Sequence, residues 1–363
     1  MRGSYKFVCA LAVTAVAAML LLQSTETGQA GQPATGYKVL APISSGNLTI
    51  FPVVAGSYHN TGKFLTLDEG LRSGEVVVTE AGRVAPLLRG PRPPVNYGGG
   101  AQVNRLVLVN NSDRPLILLA GEIVTGGKQD RVVGKDRIVP AKSDPIDLSV
   151  FCVEPGRWVE TAAKFGSFKS QMAQPSVRRK AMVDKDQQKV WAEVHEAARG
   201  IGAAVGGPLA APELNSTSSY ARIMGNRAVA AKVDSVAAPI ERSYEGLLRE
   251  LRAQNAVGVV VAVNDQIIWA DLFASPSLLE KYWPKLIRSY AAEAITHGGY
   301  GRAEIKAAQA FLQDFDGRRE TVESEPGVYR RREISGDDFN AFELISLLPG
   351  TGFDIHVAKT TEQ

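Results

Sequence analysis

The sequence predicts an α+β protein: a β-rich N-terminal half, folded as a sandwich or barrel-like sheet, and a helical C-terminal half. A β-hairpin and terminal strands are expected to complete one mixed domain. From 37 to 155, short runs of Val, Ile and Leu alternate with turn residues, which is typical of such sheets. From 177 onward, apolar residues recur at helical spacing. With 363 residues, 45% of them hydrophobic, the chain can bury a sizeable core.

The predicted strands of the first half are short and apolar, and turn residues separate them. They cover 48–54, 64–67, 76–79, 105–109, 116–119, 132–133, 137–139 and 146–153. The run NNSD at 110–113 predicts a hairpin between two of these strands, and a Pro/Gly-rich loop is predicted over 89–100.

The second half contains four predicted helices. They cover 177–200, 239–255 with Pro239 at the first helical position, 276–297 and 302–315. Pro284 predicts a kink or a break in the third helix. A loop over 201–220 offers the best point for a subdivision of the mature domain, 31–363.

Four further strand-like segments lie among or after these helices. Residues 257–263 and 266–273 predict a hairpin that turns at Asn264-Asp265. Two terminal strands are expected over 341–348 and 353–358. Because these strands could join the first sheet, one mixed domain and two domains are both compatible with the sequence.

The N-terminus has the pattern of a secretory signal. Arg2 and Lys6 precede an apolar run over 7–22, and Gly28 and Ala30 fit a signal-peptidase site. The sequence therefore predicts a signal peptide over 1–30 and a periplasmic or extracellular protein, with a retained anchor helix as the alternative. No stable membrane span is expected after cleavage.

Charge and motif content narrow the function classes. The net charge of +3 gives no reason to expect nucleic acid, and the clusters VRRK (177–180) and YRRR (329–332) are interpreted as solvated surface. No Walker loop, dinucleotide fingerprint or metal-ligand spacing occurs, so no cofactor and no metal are predicted.

The segment GEIVTGGKQDR (121–131) carries more polar chemistry than a turn requires. Its glycines allow close backbone approach, and Lys128 and Arg131 could hold a phosphate. Gln129 and Asp130 complete the predicted ligand-binding group, and Glu122 is a candidate base. The alternative is a Gly-Gly turn flanked by charges in water.

Two further stretches contribute candidates. In CVEPGRW (152–158), Glu154 is a candidate acid or base, while Arg157 and Trp158 are predicted to bind ligand or to form a packed pair. Cys152 is interpreted as a buried hydrophobe rather than a nucleophile, because no local pattern connects it to a histidine. Asp271, at a strand end before a helix, is a catalytic candidate or a structural residue.

Together with TLDEGLRSGEVVVTE (66–80) and ADLFASPSLLEKYWPKLIRSYAAEA (270–294), these stretches resemble a known family. That family is named for its association with ADP-ribosylglycohydrolases and the rhodanese/phosphatase superfamily, and the resemblance extends over about 40 to 360. The resemblance implies a link with ADP-ribose metabolism.

The resulting hypothesis is an exported protein that binds, and could hydrolyse, a small phosphorylated ligand such as an ADP-ribose-like nucleotide. The alternative is a non-enzymatic envelope protein with a structural or protein-interaction role.

Overall fold

A computed structural model describes residues 36–83, 101–167, 171–206, 214, 216–251, 254–313, 315 and 317–362. The predicted signal segment (1–30) and the predicted loop over 89–100 lie outside these residues, as does part of the 201–220 loop. The described residues all fall within one compact unit.

Strands and helices are mixed along the chain, as the sequence predicts. The strands are β1 (Lys38–Val39), β2 (Ile43–Ser45), β3 (Leu48–Val54), β4 (Leu65–Thr66), β5 (Val76–Glu80), β6 (Arg105–Asn110), β7 (Leu116–Leu118), β8 (Ile123–Val124), β9 (Arg131–Val133), β10 (Arg137–Val139), β11 (Ile146–Cys152), β12 (Ala256–Val263), β13 (Gln266–Phe273), β14 (Arg319–Glu325), β15 (Tyr329–Ser335), β16 (Phe339–Ser346) and β17 (Asp354–Thr361). The helices are α1 (Leu67–Ser73), α2 (Pro175–Arg179), α3 (Gln187–Val205), α4 (Tyr220–Gly225), α5 (Arg227–Leu251), α6 (Pro276–His297) and α7 (Ile305–Gln313).

One large antiparallel sheet joins the two halves of the chain. Its strand order is β1-β3-β12-β13-β17-β16-β15-β14, with β2 paired to β3. Strand β3 pairs directly with β12, and Phe51 lies opposite Val260. The predicted hairpin β12–β13 and the predicted terminal strands are confirmed. The strands of the second half therefore complete a sheet that begins in the first half.

Two smaller sheets contain most strands of the first half, in the orders β5-β6-β11-β9-β8 and β10-β7-β4. Because β6 and β7 belong to different sheets, the predicted hairpin at 110–113 is wrong. Asn110 Nδ2 instead donates to the carbonyls of Arg114 and Pro140, at 2.8 and 3.0 Å. These bonds shape the segment as a connection between two sheets.

Helix α6 is buried and packs against β12, α3 and α5. Ser275 caps its N-terminal end, where the Ser275 hydroxyl accepts from Leu278 N at 3.1 Å. The helix continues through Pro284 without the predicted break. A proline costs one backbone hydrogen bond, or about 3 kcal/mol, and buried Leu279 and Leu286 pack into the same core on either side of it.

Two other predicted helices have different bounds. Helix α5 begins at Arg227, so Pro239 lies inside it and not at its first position. Buried Val229 and Val233 extend its apolar face ahead of that proline.

The predicted helix over 177–200 is divided by a π-helical turn, Lys180–Asp184. Lys185 then adopts a left-handed conformation (φ 54°), and Asp186 caps α3 by accepting from Gln188 N at 2.7 Å. Helix α3 continues past Gly200 to Val205 and ends at Gly206, so the predicted stop at Gly200 is wrong.

Within the described part of the chain, no helix is long and apolar enough to cross a membrane.

Candidate functional site

Asp271 lies in an ion pair whose two side chains are fully buried. Its carboxylate accepts from Arg178 through two bonds, Nη1 to Oδ2 at 2.9 Å and Nη2 to Oδ1 at 3.0 Å. The guanidinium lies over the Trp269 ring, 4.4 Å from its centroid. Burial alone would raise the pKa of Asp271, but Arg178 and His356 hold it well below its ordinary value. Asp271 is therefore ionised, and both of its carboxylate oxygens accept hydrogen bonds from Arg178.

His356 connects this pair to a second carboxylate. Its Nε2 contacts Asp271 Oδ1 at 3.0 Å, and its Nδ1 contacts Asp136 Oδ2 at 2.6 Å. Burial opposes the charge of the ring, but the carboxylates of Asp136 and Asp271 raise the pKa of His356 to about 9. The Tyr290 hydroxyl also donates to Asp271. We call Arg178, Asp271, His356, Asp136 and Tyr290 the central network.

Glu122 belongs to a neighbouring buried cluster. Lys285 contacts the Glu122 carboxylate and lies 2.7 Å from Asp68 Oδ2. The other Glu122 oxygen accepts from Leu119 N at 2.7 Å. Burial raises the pKa of Glu122 although Lys285 opposes that shift. Glu122, like Asp271, is thus enclosed among partners in the protein interior.

The short segment 119–122 contacts both groups. Ala120 N donates to Asp136 at 2.7 Å, and Glu122 reaches Lys285. Gly121 has φ +95°, and a Cβ on it would lie 2.5 Å from Arg178 Cγ. Glycine is required here by both backbone conformation and the close approach of Arg178. The start of the GEIVTGGKQDR segment is therefore built around the central network.

Most of the other predicted site residues form a second buried cluster, here called the Asp130 cluster. Its members are Gln129, Asp130, Arg131, Glu154, Arg157 and Ser219. Glu154 Oε2 accepts from Asp130 N at 3.0 Å and forms an ion pair with Arg157 at 2.5 Å. Asp130 Oδ2 accepts from the Ser219 hydroxyl at 2.6 Å. These contacts join the 126–130 loop to 154–157.

Arg131 is fully buried, and its Nη1 donates to the carbonyl of Gln129 at 2.7 Å. Burial lowers the pKa of Arg131. Lys128 and Trp158 lie at the outer edge, where the Lys128 amine is 5.1 Å from the Trp158 ring centroid and Trp158 is 44% exposed. The structure thus brings these predicted residues together, with Gln129, Asp130 and Arg131 facing the protein rather than solvent.

Cys152 is buried beside this cluster. Its Sγ accepts from Glu154 N at 3.3 Å, and burial raises the pKa of the thiol. Burial outweighs this hydrogen bond, which favours the thiolate, so Cys152 is held in the unreactive thiol form.

We expect Cys152 to react slowly with a maleimide reagent in the folded protein and rapidly after denaturation in urea. Mass spectrometry of the Cys152 peptide measures this ratio directly. Rapid labelling of the folded protein would contradict the buried position and would support cysteine-based chemistry.

A cavity of about 470 Å³ is lined by residues of α2 and by residues at the C-terminal end of α6. We call it the Glu293–His297 cavity. Its walls are formed by Pro175, Ser176, Arg179, Lys180, Glu193, Val263, Asn264, Gln266, Ile268, Glu293, His297, Thr360 and Thr361.

A histidine–carboxylate pair lies in the wall of this cavity. His297 Nε2 is 2.8 Å from Glu293 Oε1, one helical turn earlier, and the His297 side chain is 51% exposed. Glu293 Oε2 accepts from Gln174 Nε2 and from Ser176 N, both at 3.0 Å. The hydrogen bond with Glu293 raises the pKa of His297. A carboxylate held in this way orients the imidazole for proton transfer.

Sequence reasoning missed this pair and misread the cation cluster VRRK. Glu293 and His297 have the i, i+4 spacing that puts two side chains on one helix face. This spacing, within a predicted helix, is the sequence feature that indicates the pair. Arg178 is buried in the central network, whereas Arg179 and Lys180 line the cavity. The interpretation of 177–180 as solvated surface is therefore wrong. The same is true of 329–332, where Arg331 and Arg332 are buried.

Among the described residues, no group of His, Cys, Asp and Glu is arranged to hold a metal ion.

Comparisons with known proteins give a family. A family model described as "ARG and Rhodanese-Phosphatase-superfamily-associated Protein domain" matches residues 36–358. No curated protein and no solved structure matches the chain.

Proposed function

Because the chain belongs to the family of ARG- and rhodanese-phosphatase-superfamily-associated proteins, we propose that it binds and hydrolyses a small phosphorylated ligand in the Glu293–His297 cavity. The expected ligand is a nucleotide of the ADP-ribose type. The basic and apolar N-terminal run supports the further proposal that the protein acts after export, in the periplasm or outside the cell.

One observation carries the proposal: a single cavity combines two cations with a half-exposed histidine held by a buried carboxylate. Its volume of about 470 Å³ suits a small molecule. Arg179 and Lys180 supply positive charge for phosphate oxygens. The carboxylates of Glu122, Glu154 and Asp271 are instead buried in ion pairs, and none of these three residues lines the cavity.

The chemistry follows from the pair. His297 would accept a proton from water while the water oxygen attacks the phosphorus or the glycosidic carbon of the ligand. The bond to the leaving oxygen breaks, and that oxygen takes up the proton from the imidazolium. Glu293 keeps the ring oriented and stabilises its charged form, since its own second oxygen is fixed by Gln174 and Ser176.

Ligand binding is tested by thermal unfolding in the presence of ADP-ribose, ADP, NAD and sugar phosphates. A ligand at 100 times its dissociation constant stabilises the fold by about 2.7 kcal/mol. In the double variant Arg179→Ala/Lys180→Ala we expect binding at least tenfold weaker, because two cations leave the cavity wall. In His297→Ala we expect hydrolysis to fall by about 10²- to 10⁴-fold.

Arg199→Ala is the matched control, because Arg199 is an exposed cation that pairs with Glu196 and does not line the cavity. It should leave affinity and hydrolysis unchanged. Equal loss in the control and in the double variant would show a general charge effect and would contradict a phosphate site at Arg179 and Lys180.

The alternative function, a non-enzymatic envelope protein, is favoured by a different observation. Several polar residues of the GEIVTGGKQDR segment bond to other buried groups of the protein, among them Glu154 and Lys285, as structural residues do. A folded protein that shows no stabilisation by any ligand in the thermal experiment would support this alternative.

A further inference from the structure

We propose that Tyr300 stacks on a flat ring of the ligand, so that the cavity selects nucleotides over phosphorylated sugars that lack a base. This inference rests on the proposed function and assigns a residue that reads the ligand outside the polar part of the cavity.

Tyr300 belongs to the loop that follows α6, directly beyond His297. The loop is seated on the turn between β12 and β13. A Cβ on Gly299 would lie 2.8 Å from Asn264 Oδ1, and a Cβ on Gly301 would lie 2.9 Å from Asp265 N. Because Asn264 and His297 both line the cavity, the loop that carries Tyr300 adjoins the part of the wall that these two residues form.

The loop holds its glycines close to the turn and leaves the tyrosine outside. Gly298 and Gly299 have φ values of +57° and +93°, and the Gly298 carbonyl accepts from Asn47 Nδ2 at 2.8 Å. Tyr300 itself is 98% exposed. A large aromatic side chain in this position costs the protein an exposed apolar surface, which a ligand ring would cover.

The composition of the cavity explains why a base would use this edge. Charged and hydroxyl groups dominate the walls, and of these the cations and hydroxyls suit phosphate and ribose oxygens. Few lining side chains offer a flat apolar surface to a purine. Tyr300, three residues after His297, would supply that surface, because any base can stack on an aromatic side chain irrespective of its identity.

The test compares ADP with ribose 5-phosphate by isothermal titration, using wild type, Tyr300→Ala and Tyr300→Phe. We expect Tyr300→Ala to weaken ADP binding about tenfold, the low part of the range for one stacked base. Ribose 5-phosphate should bind both proteins equally. Tyr300→Phe keeps the ring and should bind ADP as wild type does.

Tyr58→Ala serves as the control, since Tyr58 is also exposed, at 57%, and adjoins the opposite end of α6 through the bond of His59 N to Ala274 O. It should change neither affinity. Unchanged ADP affinity in Tyr300→Ala, or an equal loss for both ligands, would overturn the stacking role while leaving the cavity as a phosphate site. Failure of both ligands to bind wild type would instead overturn the proposed function and, with it, this inference.

Discussion

Replacement of Asp271 by Ala is expected to lower the free energy of unfolding by about 3–5 kcal/mol, the usual cost of removing one partner from a buried ion pair. The variant leaves the Arg178 guanidinium in the core without a carboxylate, and it also removes one of the two acceptors of His356. Neither cation can reach water, because both side chains are fully buried. Urea denaturation at neutral pH measures the loss.

The matched control is Asp147→Ala. Arg105 and Asp147 form the same two-bonded geometry, at 2.8 and 2.7 Å, but their side chains are 29% and 52% exposed. An exposed pair contributes about 0–1 kcal/mol. Similar losses in the two variants would show that burial of the Asp271 pair has no special energetic role. If Asp271→Ala fails to fold, Asp271→Asn preserves the shape and allows a smaller loss to be measured.

The fold class was predictable because it depends on local patterns. The run Val-Val-Val before Asn264-Asp265 and the run Ile-Ile-Trp after it predict a hairpin, and Asn264 adopts the left-handed conformation, φ 58°, that such turns use. Strands β14 and β15 were not predicted, because their residues are mostly charged and polar. Their pairing depends on contacts across strands, such as Arg332 with Glu320 at 2.8 Å, and no single strand displays those contacts.

The residue types of the candidate site were predictable from the sequence, but the residues with which they form ion pairs were not. Glu122 and Asp271 were recognised as unusual acids, whereas their cations, Lys285 and Arg178, come from distant helices. Burial of these groups depends on how the helices pack on the sheets. A sequence pattern can indicate that an acid is unusual, but it does not show whether the acid faces water.

The run VRRK shows why neighbouring cations take different roles. Arg178 is the penultimate residue of α2, and the π-helical turn begins at Lys180. The turn thus begins two residues after Arg178, which belongs to the central network, and Arg179 and Lys180 line the cavity. Turns of this kind are frequent at functional sites. Helical periodicity alone would have continued the helix through 180.

Helix α2 therefore connects the buried core with the cavity. Gly121 packs on Arg178, and its carbonyl accepts from Ala173 N at 2.8 Å, just ahead of the helix. Ser176 N, in the first turn, fixes Glu293 at 3.0 Å. The GEIVTGGKQDR segment can thus determine the position of the cavity wall without lining the cavity. We therefore expect substitutions at Gly121 to displace the cavity wall through this helix.

The stability of the protein is expected to fall by about 3 kcal/mol as the pH rises from 6.5 to 9, through deprotonation of His356. The folded state raises the pKa of His356 from 6.5 to about 9. A raised pKa means that the folded state binds the proton more tightly, so the contribution is complete below pH 6.5 and is lost as the pH approaches 9. A difference of about 2.5 pKa units corresponds to about 3 kcal/mol.

The groups around His356 make this assignment testable. Asp136 and Asp271 contact its two nitrogens, the Phe273 ring lies 4.8 Å away, and Arg178 reaches it only through Asp271. Urea denaturation at pH 6.5, 7.5 and 9 should show a decline in wild type and a flatter profile in His356→Gln, which cannot titrate. The pKa of His297 is raised in both proteins, so its contribution to the pH dependence cancels in the comparison. Parallel profiles would mean that His356 is not the group that titrates over this pH range.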